Sequence, residues 1–207
     1  MKVRRKILQG TNLFLGRVYI PREIYRIQRP IVMHISDTPE EIYPYLYEVV
    51  KRLKPEYLIH TGDLVDNIKL EIVSELEGKY HEALEEFIKS MDSLNIQNTY
   101  YVSGNHDQTE KIKSLGKNAV VLEEGLITLE DRDFYLNHFF VEDRPRAHYY
   151  LYGHSFDPTS HQENQEIRLN GLEAIHVISL KEGRVESIPY PLGTNGFRKM
   201  DRNYRGL

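Results

Sequence analysis

Apolar and polar positions alternate along the first half of the chain in a way that predicts strands and helices in turn. Short apolar runs predict buried strands over 31–35, 57–60 and 98–102. Between these runs, apolar residues recur every three or four positions, which predicts amphipathic helices over 40–53 and 72–94. A chain that alternates strand and helix in this way favours right-handed crossovers and a parallel sheet.

After residue 119 the pattern changes to short strands separated by turns. Glycine follows a polar residue in three of these turns, at Glu124-Gly125, Asn170-Gly171 and Glu182-Gly183. The predicted strands lie at 120–122, 126–129, 134–137, 149–152, 166–169, 174–180 and 184–188. A parallel α/β first half followed by a second half rich in antiparallel strands predicts two sheets packed face to face, with helices outside.

Composition narrows the class of protein. The chain has 207 residues, of which 40% are hydrophobic and 28% charged, which is typical of a folded protein with one main domain. It has no cysteine, so disulfides, thiolate metal sites and thiol nucleophiles are excluded. No run approaches the roughly 20 apolar residues of a membrane-spanning helix, and Gly10, Asn12 and Arg17 interrupt the apolar stretch that a secretion signal needs. We therefore expect a cytoplasmic protein without a membrane partner.

The net charge of −4 is unevenly distributed along the chain. Residues 1–30 carry eight basic side chains against one acidic, and residues 193–207 carry four against one. We predict a basic N-terminal extension over 1–30, a main domain over 31–192 and a basic C-terminal tail over 193–207. Basic ends can bind nucleic acid, an anionic surface or the acidic main domain, and solvated or self-docked ends are the simplest interpretation.

Polar residues with metal-binding side chains follow five of the predicted strands. They are Asp37, Asp63, Asn105-His106, His138 and His154. Because the carboxyl ends of neighbouring parallel strands meet at one edge of a sheet, the first three of these groups should lie close together. Oxygen and imidazole ligands without sulfur suit Mn²⁺, Fe, Zn²⁺, Ni²⁺ or Mg²⁺. The sequence therefore predicts a divalent metal site at this edge.

These motifs resemble those of the calcineurin-like metallophosphoesterases. The matching segments are Ser36-Asp37, Gly62-Asp63, Gly104-Asn105-His106-Asp107, His138 and Gly153-His154. The resemblance covers about residues 31–190, and it implies a four-layer α/β/β/α sandwich of two mixed sheets with a dinuclear metal centre at the loops. It also implies a hydrolase of phosphoric esters, acting on phosphodiesters or phosphomonoesters.

The resemblance assigns a role to each matching residue. The ligands of one metal would be Asp63, Asn105, His138 and His154. Asp37 and a bridging Asp63 would contribute to the other metal, and a metal-bound hydroxide would attack phosphorus in line. His106 would lie by the leaving group as a proton donor or charge stabiliser, and Asp107 would orient His106.

Two departures from the family's pattern affect the same metal. Pro39 and Phe156 stand where the family usually has histidines, and neither side chain can coordinate a metal. One metal site therefore keeps its complete set of protein ligands, whereas the site of Asp37 keeps only carboxylates. We expect one firmly bound divalent ion and a second that is weakly bound or absent, since a hard ion such as Mg²⁺ can bind through few carboxylates and water.

Other side chains could replace the missing ligands. His34 and His60 each precede a motif aspartate by three residues, a spacing that places the two side chains on opposite faces of a strand and favours core histidines. His161 and Glu163 lie in the loop after Phe156 and could approach the site.

Two hypotheses from different classes of protein follow. The first is a metal-dependent phosphoesterase with a phosphoester substrate, which the retained His106 favours. The alternative is a non-catalytic scaffold or binding module of the same fold, which the missing ligands and the basic ends favour. The sequence leaves the oligomeric state open.

Overall fold

The computed structural model describes residues 18–198. Most basic side chains of the two predicted ends lie outside the described residues, and so do the expectations that concern them. The strands are β1 (Ile31–Ile35), β2 (Tyr57–His60), β3 (Asn98–Val102), β4 (Ala119–Leu122), β5 (Glu124–Leu129), β6 (Arg132–Asn137), β7 (Tyr149–Tyr152), β8 (His161–Glu163), β9 (Glu166–Asn170), β10 (Ile175–Ser179) and β11 (Val185–Ile188). The α-helices are α1 (Tyr43–Leu53), α2 (Glu77–Ser93), α3 (Thr109–Leu115) and α4 (Thr194–Phe197).

The first sheet has six strands in the order β11-β10-β1-β2-β3-β4. Strands β1 to β4 run parallel, and β10 and β11 continue the sheet antiparallel beside β1. The three strands predicted for the first half of the chain, β1 to β3, begin and end at the predicted residues. The two predicted helices are also present, although each begins with a 3-10 turn, over Glu40–Ile42 and Ser74–Leu76, before α1 and α2 continue.

Helices α1 and α2 bury one apolar stripe each against the first sheet. The stripe of α1 includes Leu46, Val50 and Leu53, and that of α2 includes Tyr80 and Leu84, at the spacings of three and four that place side chains on one helical face. These residues share a single core with side chains of β1, β2, β3 and β10. The helical layer therefore fixes the first sheet from its outer side.

The second sheet has five strands in the order β5-β6-β7-β9-β8. The pairs β5–β6 and β8–β9 are antiparallel, but β6–β7 and β7–β9 are parallel, so the second half is less rich in antiparallel pairing than its turns suggested. Strand β8 and helix α3 were not predicted. Strand β8 has three polar residues and α3 only seven residues, so neither shows a hydrophobic period long enough to recognise.

The two sheets pack face to face through apolar side chains. Val32, Ile59 and Val102 belong to this core on the side of the first sheet. The second sheet contributes Leu129, Phe134, Leu136, Tyr149, Leu151 and Leu169. The rings of Phe134 and Tyr149 stack with their centroids 4.7 Å apart. The expected fold class, a mixed α/β fold of two mixed sheets with helices, is confirmed.

One layer differs from the expected α/β/β/α order. Between residues 18 and 198, no helix covers the outer face of the second sheet, where Tyr135, Tyr150 and Tyr152 pack against the loop that joins β6 to β7. Arg144 of that loop lies over the Tyr150 ring at 3.8 Å and forms an ion pair with Glu166. This loop is shorter than the dozen or more residues of a helical crossover, so side chains of the loop seal the face instead of a helix.

Parts of both predicted appendages pack onto the main domain. Ile20, Ile24 and Ile27 belong to the same core as the first sheet and its helices, and the side chain of Arg198 is fully buried. The division of the chain at residues 30 and 193 stays a prediction. Within the described part of the chain, no helix is long and apolar enough to cross a membrane.

Three histidines are buried in the first sheet. His34 and His176 stack with ring centroids 5.6 Å apart, and His34 Nε2 lies 2.9 Å from Thr61 Oγ1. His60 Nδ1 accepts the Gly62 amide N–H, so its proton is on Nε2, which lies 2.8 Å from Thr38 Oγ1. Burial lowers the pKa of His60 to about 3. The expectation that His34 and His60 are core histidines agrees with these contacts.

The buried His60 predicts a loss of stability in acid. Its pKa lies below the unfolded value of about 6.5, so between pH 6 and pH 4 the unfolded chain binds a proton that the folded chain excludes. This group should contribute a slope of about 1.4 kcal/mol per pH unit to the free energy of unfolding. We expect H60Q to reduce the measured slope by about that amount in chemical denaturation. The control L58A, on the same strand, should lower stability at every pH and leave the slope unchanged.

Candidate metal centre

The site lies where the loops after β1, β2 and β3 meet the loops after β6 and β7. Its aspartates and one histidine hold backbone conformations that non-glycine residues rarely adopt: φ is 51° at Asp37, 54° at Asp63 and 63° at His154. Each such residue costs about 1–3 kcal/mol and persists where the surrounding structure imposes it. The chain therefore maintains strain at the residues that the sequence predicted as ligands.

Two glycines allow the loops to approach each other closely. A Cβ atom on Gly104 would lie 2.2 Å from Asp63 Oδ1, and one on Gly153 would lie 2.4 Å from Asp37 Oδ2. Both distances are shorter than any real contact of this kind, so a side chain at either position would displace the carboxylate. The loops of the site can therefore approach this closely only with glycine at positions 104 and 153.

The structure brings three predicted ligands into one buried group. Asp37, Asp63 and His138 each offer a ligand atom, and these atoms all lie within 4.8 Å of one another. The exposed fraction of each of the three residues is 2% or less. The carboxylate of Asp37 also accepts hydrogen bonds from the Ser36 hydroxyl at 2.5 Å and from the His154 amide at 3.1 Å.

The carboxamide of Asn105 joins the remaining predicted ligands to this group. Its Oδ1 lies 3.0 Å from His138 Nε2 and 3.0 Å from His154 Nδ1. Asp63 Oδ2 lies 3.6 Å from the same His138 nitrogen. All five residues predicted as metal ligands are therefore neighbours, although they come from five separate loops.

The donor atoms of this cluster fit a cation. His138 Nδ1 lies 2.8 Å from the Thr61 carbonyl oxygen, which can only accept, so this nitrogen carries the proton. In the neutral ring, Nε2 then directs a lone pair at Asn105 Oδ1 and Asp63 Oδ2, which are also acceptors. A positive charge between these three acceptors would stabilise their arrangement. A divalent ion supplies that charge, and this set of oxygen and nitrogen ligands suits Mn²⁺, Fe, Zn²⁺ or Ni²⁺.

The electrostatics of Asp63 lead to the same conclusion. Burial raises the pKa of Asp63 well above its usual value, and the nearby carboxylates of Asp37 and Asp107 raise it further. A carboxylate in this position is costly to ionise unless a cation is close to it. A metal ion at the cluster would stabilise the ionised form that coordination requires.

His106 lies beside the predicted ligands. Its backbone N–H donates to Asp63 Oδ1 at 3.0 Å, and its Nε2 lies 3.1 Å from Asn105 Nδ2. Nδ1 is buried and has no hydrogen-bond partner among residues 18–198, with the nearest carboxylate oxygen, of Glu71, at 3.9 Å. Burial lowers the pKa of His106 to about 4, and the positive charge of Lys69 contributes to this shift. The imidazole is therefore neutral near pH 7.

The resemblance implies that Asp107 orients His106, but the hydrogen bonds of Asp107 are to other groups. Its carboxylate accepts the backbone N–H groups of Asp63, Leu64 and Gly104 at 2.7, 3.0 and 2.9 Å, and the Tyr80 hydroxyl at 3.1 Å. These four bonds occupy both oxygens, so the carboxylate does not orient the His106 ring. Asp107 instead ties the loop after β2 to the loop after β3, and so places the Asp63 ligand.

None of the candidate substitutes for the missing ligands reaches the site. His34 and His60 are bonded to threonines inside the first sheet. His161 Nδ1 lies 2.7 Å from the Thr159 carbonyl, and Glu163 forms an ion pair with Arg168. The positions of Pro39 and Phe156 are therefore not compensated by any of these four side chains.

The loop that leads from β2 to α2 brings residues to the site that were not predicted. Asp66 is fully buried and forms an ion pair with Lys69, and Glu71 accepts a hydrogen bond from Asn105 Nδ2 at 2.8 Å. Asp66 stands only three residues after Asp63, which was the one available signal. Nothing in the pattern distinguishes Lys69 or Glu71 from ordinary surface charges.

Comparisons with known proteins identify a family and a shared fold. The family model for calcineurin-like phosphoesterases matches residues 31–178. No curated protein matches the chain at a significant level. An archaeal phosphodiesterase has a similar structure, with a TM-score of 0.57, 15% identity, and coverage of 77% of this chain and 99% of that one. YfcE, a phosphoesterase from E. coli, has a TM-score of 0.52, 16% identity, and coverage of 77% and 99%. At these identities the likeness shows a shared fold.

The contacts of Asp107 predict that its substitution weakens metal binding. In D107N, an amide NH₂ group replaces one acceptor oxygen and confronts a backbone N–H. We expect about a 10–100-fold loss of Mn²⁺ affinity in calorimetric titration, as is typical when the support of a ligand is removed. The exposed control D143N should bind Mn²⁺ like the unmodified protein. Unchanged affinity in D107N with a lower turnover rate would instead support the orienting role.

Proposed function

This chain belongs to the calcineurin-like phosphoesterase family, and on that premise we propose that it is a metal-dependent phosphoesterase with one complete metal site. The observation that carries the proposal is the set of converging acceptors at Asp63, Asn105 and His138, which a divalent ion between them would stabilise. The fold alone hosts several functions, so the proposal depends on the site and not on the fold.

Most residues of the cluster would hold the ion. The ligands would be Asp63, Asn105, His138 and His154, and Asp37 lies beside them. A bound divalent ion in such a site supplies positive charge to the phosphoryl oxygens and activates water for attack on phosphorus. The Thr61 carbonyl keeps the His138 proton on Nδ1, so that Nε2 is free for coordination.

His106 is suited to the phosphoryl or leaving-group oxygen. Among residues 18–198, its ring makes a single hydrogen-bond contact, at Nε2, and Nδ1 has no partner, so this nitrogen would be available to a substrate oxygen. A neutral imidazole placed in advance where charge develops contributes typically about 10²–10³ in rate. A histidine at this position, beside a complete set of metal ligands, supports a catalytic role for the protein rather than a purely structural one.

One exposed aromatic ring, that of Phe139, lies beside the predicted ligand His154. Phe139 is 41% exposed and Phe156 is 37% exposed. The Phe139 ring lies against His154, with centroids 4.5 Å apart. An exposed ring beside a phosphate-binding site favours a substrate whose ester group has an apolar or aromatic face. We therefore place phosphodiesters with an aryl or nucleoside group ahead of small phosphomonoesters.

The proposal predicts metal-dependent hydrolysis. Protein stripped of metal should not hydrolyse bis(p-nitrophenyl) phosphate or a dinucleotide, and added Mn²⁺ should restore turnover. D63N should abolish the restored activity because it removes the carboxylate at the centre of the cluster. D133N, which changes a half-exposed aspartate on the second sheet, is the matched control. No turnover with any phosphoester at saturating Mn²⁺ would favour the non-catalytic alternative.

The placement of His106 predicts that its substitution lowers turnover without weakening the binding of substrate or metal. H106Q should lower kcat by about 10²–10³ because a group that stabilises developing charge is lost. KM and Mn²⁺ affinity should change little, since no ligand atom is removed. Steady-state kinetics and calorimetric titration measure both effects. An equal loss of Mn²⁺ affinity would show that His106 holds the ion rather than the substrate.

A further inference from the structure

The carboxamide of Asn105 has two ends of similar shape and opposite hydrogen-bonding character. Its oxygen Oδ1 lies 3.0 Å from His138 Nε2 and 3.0 Å from His154 Nδ1, among the predicted metal ligands. Its nitrogen Nδ2 lies 2.8 Å from Glu71 Oε2 and 3.1 Å from His106 Nε2. Only the oxygen can coordinate a cation, because the amide nitrogen acts as a donor and not as an acceptor. The use of Asn105 as a ligand therefore depends on which end of the amide faces His138.

The contact with His138 does not favour this orientation by itself. His138 Nδ1 faces the Thr61 carbonyl and carries the proton, so Nε2 of the neutral ring can only accept. If the carboxamide of Asn105 turned over, Nδ2 would take the place of Oδ1 and donate a hydrogen bond to this nitrogen. Before an ion binds, His138 thus favours the orientation in which Asn105 cannot act as a ligand.

The carboxylate of Glu71 favours the opposite orientation. A carboxylate only accepts hydrogen bonds, so its contact at 2.8 Å is favourable with Asn105 Nδ2 and would be repulsive with Oδ1. A hydrogen bond to a charged acceptor is roughly twice as strong as one between neutral groups. The Glu71 contact therefore opposes the rotation that His138 favours, and it keeps Oδ1 among the ligands.

The backbone places Glu71 at this position. The Val73 N–H donates to the Lys69 carbonyl at 2.9 Å, which closes a turn around Glu71, and the Lys69 ammonium forms an ion pair with the buried Asp66. The Glu71 side chain itself is 64% exposed. Its substitution therefore removes the contact to Asn105 without opening a cavity in the core.

We propose that Glu71 is a positioning residue, whose carboxylate holds the Asn105 carboxamide with Oδ1 directed at the metal position. The inference rests on the proposed function only in assuming that a divalent ion binds at Asp63, Asn105, His138 and His154. The orientation itself is a property of the protein before the ion binds. Without the carboxylate, the amide must turn over when the ion binds, which lowers the affinity for the ion.

Nuclear Overhauser effects in isotope-labelled, metal-free protein test the orientation directly. In the wild type, the side-chain amide protons of Asn105 should be close to the ring protons of His106. In E71Q, whose own amide can donate as well as accept, they should be close to the carbon-bound ring protons of His138. The control E75Q, at an exposed glutamate of the following 3-10 turn, should keep the wild-type pattern. Wild-type amide protons that face His138, or a wild-type pattern in E71Q, would overturn the inference.

The affinity for Mn²⁺ separates positioning from a general effect of charge. In calorimetric titration, E71Q should bind Mn²⁺ about ten-fold more weakly than the wild type, as is typical when the support of a ligand is removed. In N105D both ends of the side chain are acceptors, so adding E71Q to this variant should cause no further loss. An equal loss in both backgrounds would show that Glu71 acts only through its charge, and the inference would be wrong.

These measurements are independent of turnover. Metal-dependent hydrolysis by the wild type, with an amide orientation and an Mn²⁺ affinity that E71Q does not change, would refute only the role of Glu71. The expected orientation and affinities, without turnover of any phosphoester, would refute only the proposed function.

Discussion

The constraint on which this structure depends is the burial of several carboxylates in one place. Like charges that are removed from water repel each other strongly and cannot all ionise without cations nearby. The protein meets this constraint in three ways. Backbone N–H groups bind Asp107, the Lys69 ammonium forms an ion pair with Asp66, and a metal ion would stabilise the remaining acceptors around Asp63. The phosphoesterase chemistry that we propose follows from this third solution.

The fold supplies the positions at which these carboxylates meet. Parallel strands β1, β2 and β3 end at one edge, and strands β6 and β7 of the second sheet end opposite them. Glycines at 104 and 153 let the loops approach closely. The His60 side chain binds the Gly62 amide and Thr38, which joins the first two loops from inside the sheet. The core therefore determines the site's geometry before any ligand binds.

The sequence predicted those features that have a periodic or positional signal. Hydrophobic spacing predicted strands β1 to β3 and the two long helices, and polar residues at strand ends predicted that five candidate ligands lie close together. The sequence did not predict that no helix of residues 18–198 covers the outer face of the second sheet. There Arg144 of the short loop from β6 to β7 stacks on Tyr150, a contact without sequence periodicity. The contacts of Asp107 also join loops that are distant along the chain, which spacing alone does not encode.

The central claim is that the acceptors of Asp63, Asn105, His138 and His154 surround a single divalent ion. Anomalous diffraction from crystals grown with Mn²⁺ tests it most directly, because it locates each ion relative to these side chains. The account predicts one strong peak between the four residues, at ligand distance from their oxygen and nitrogen atoms. No peak at that position, or two peaks of equal height, would contradict it.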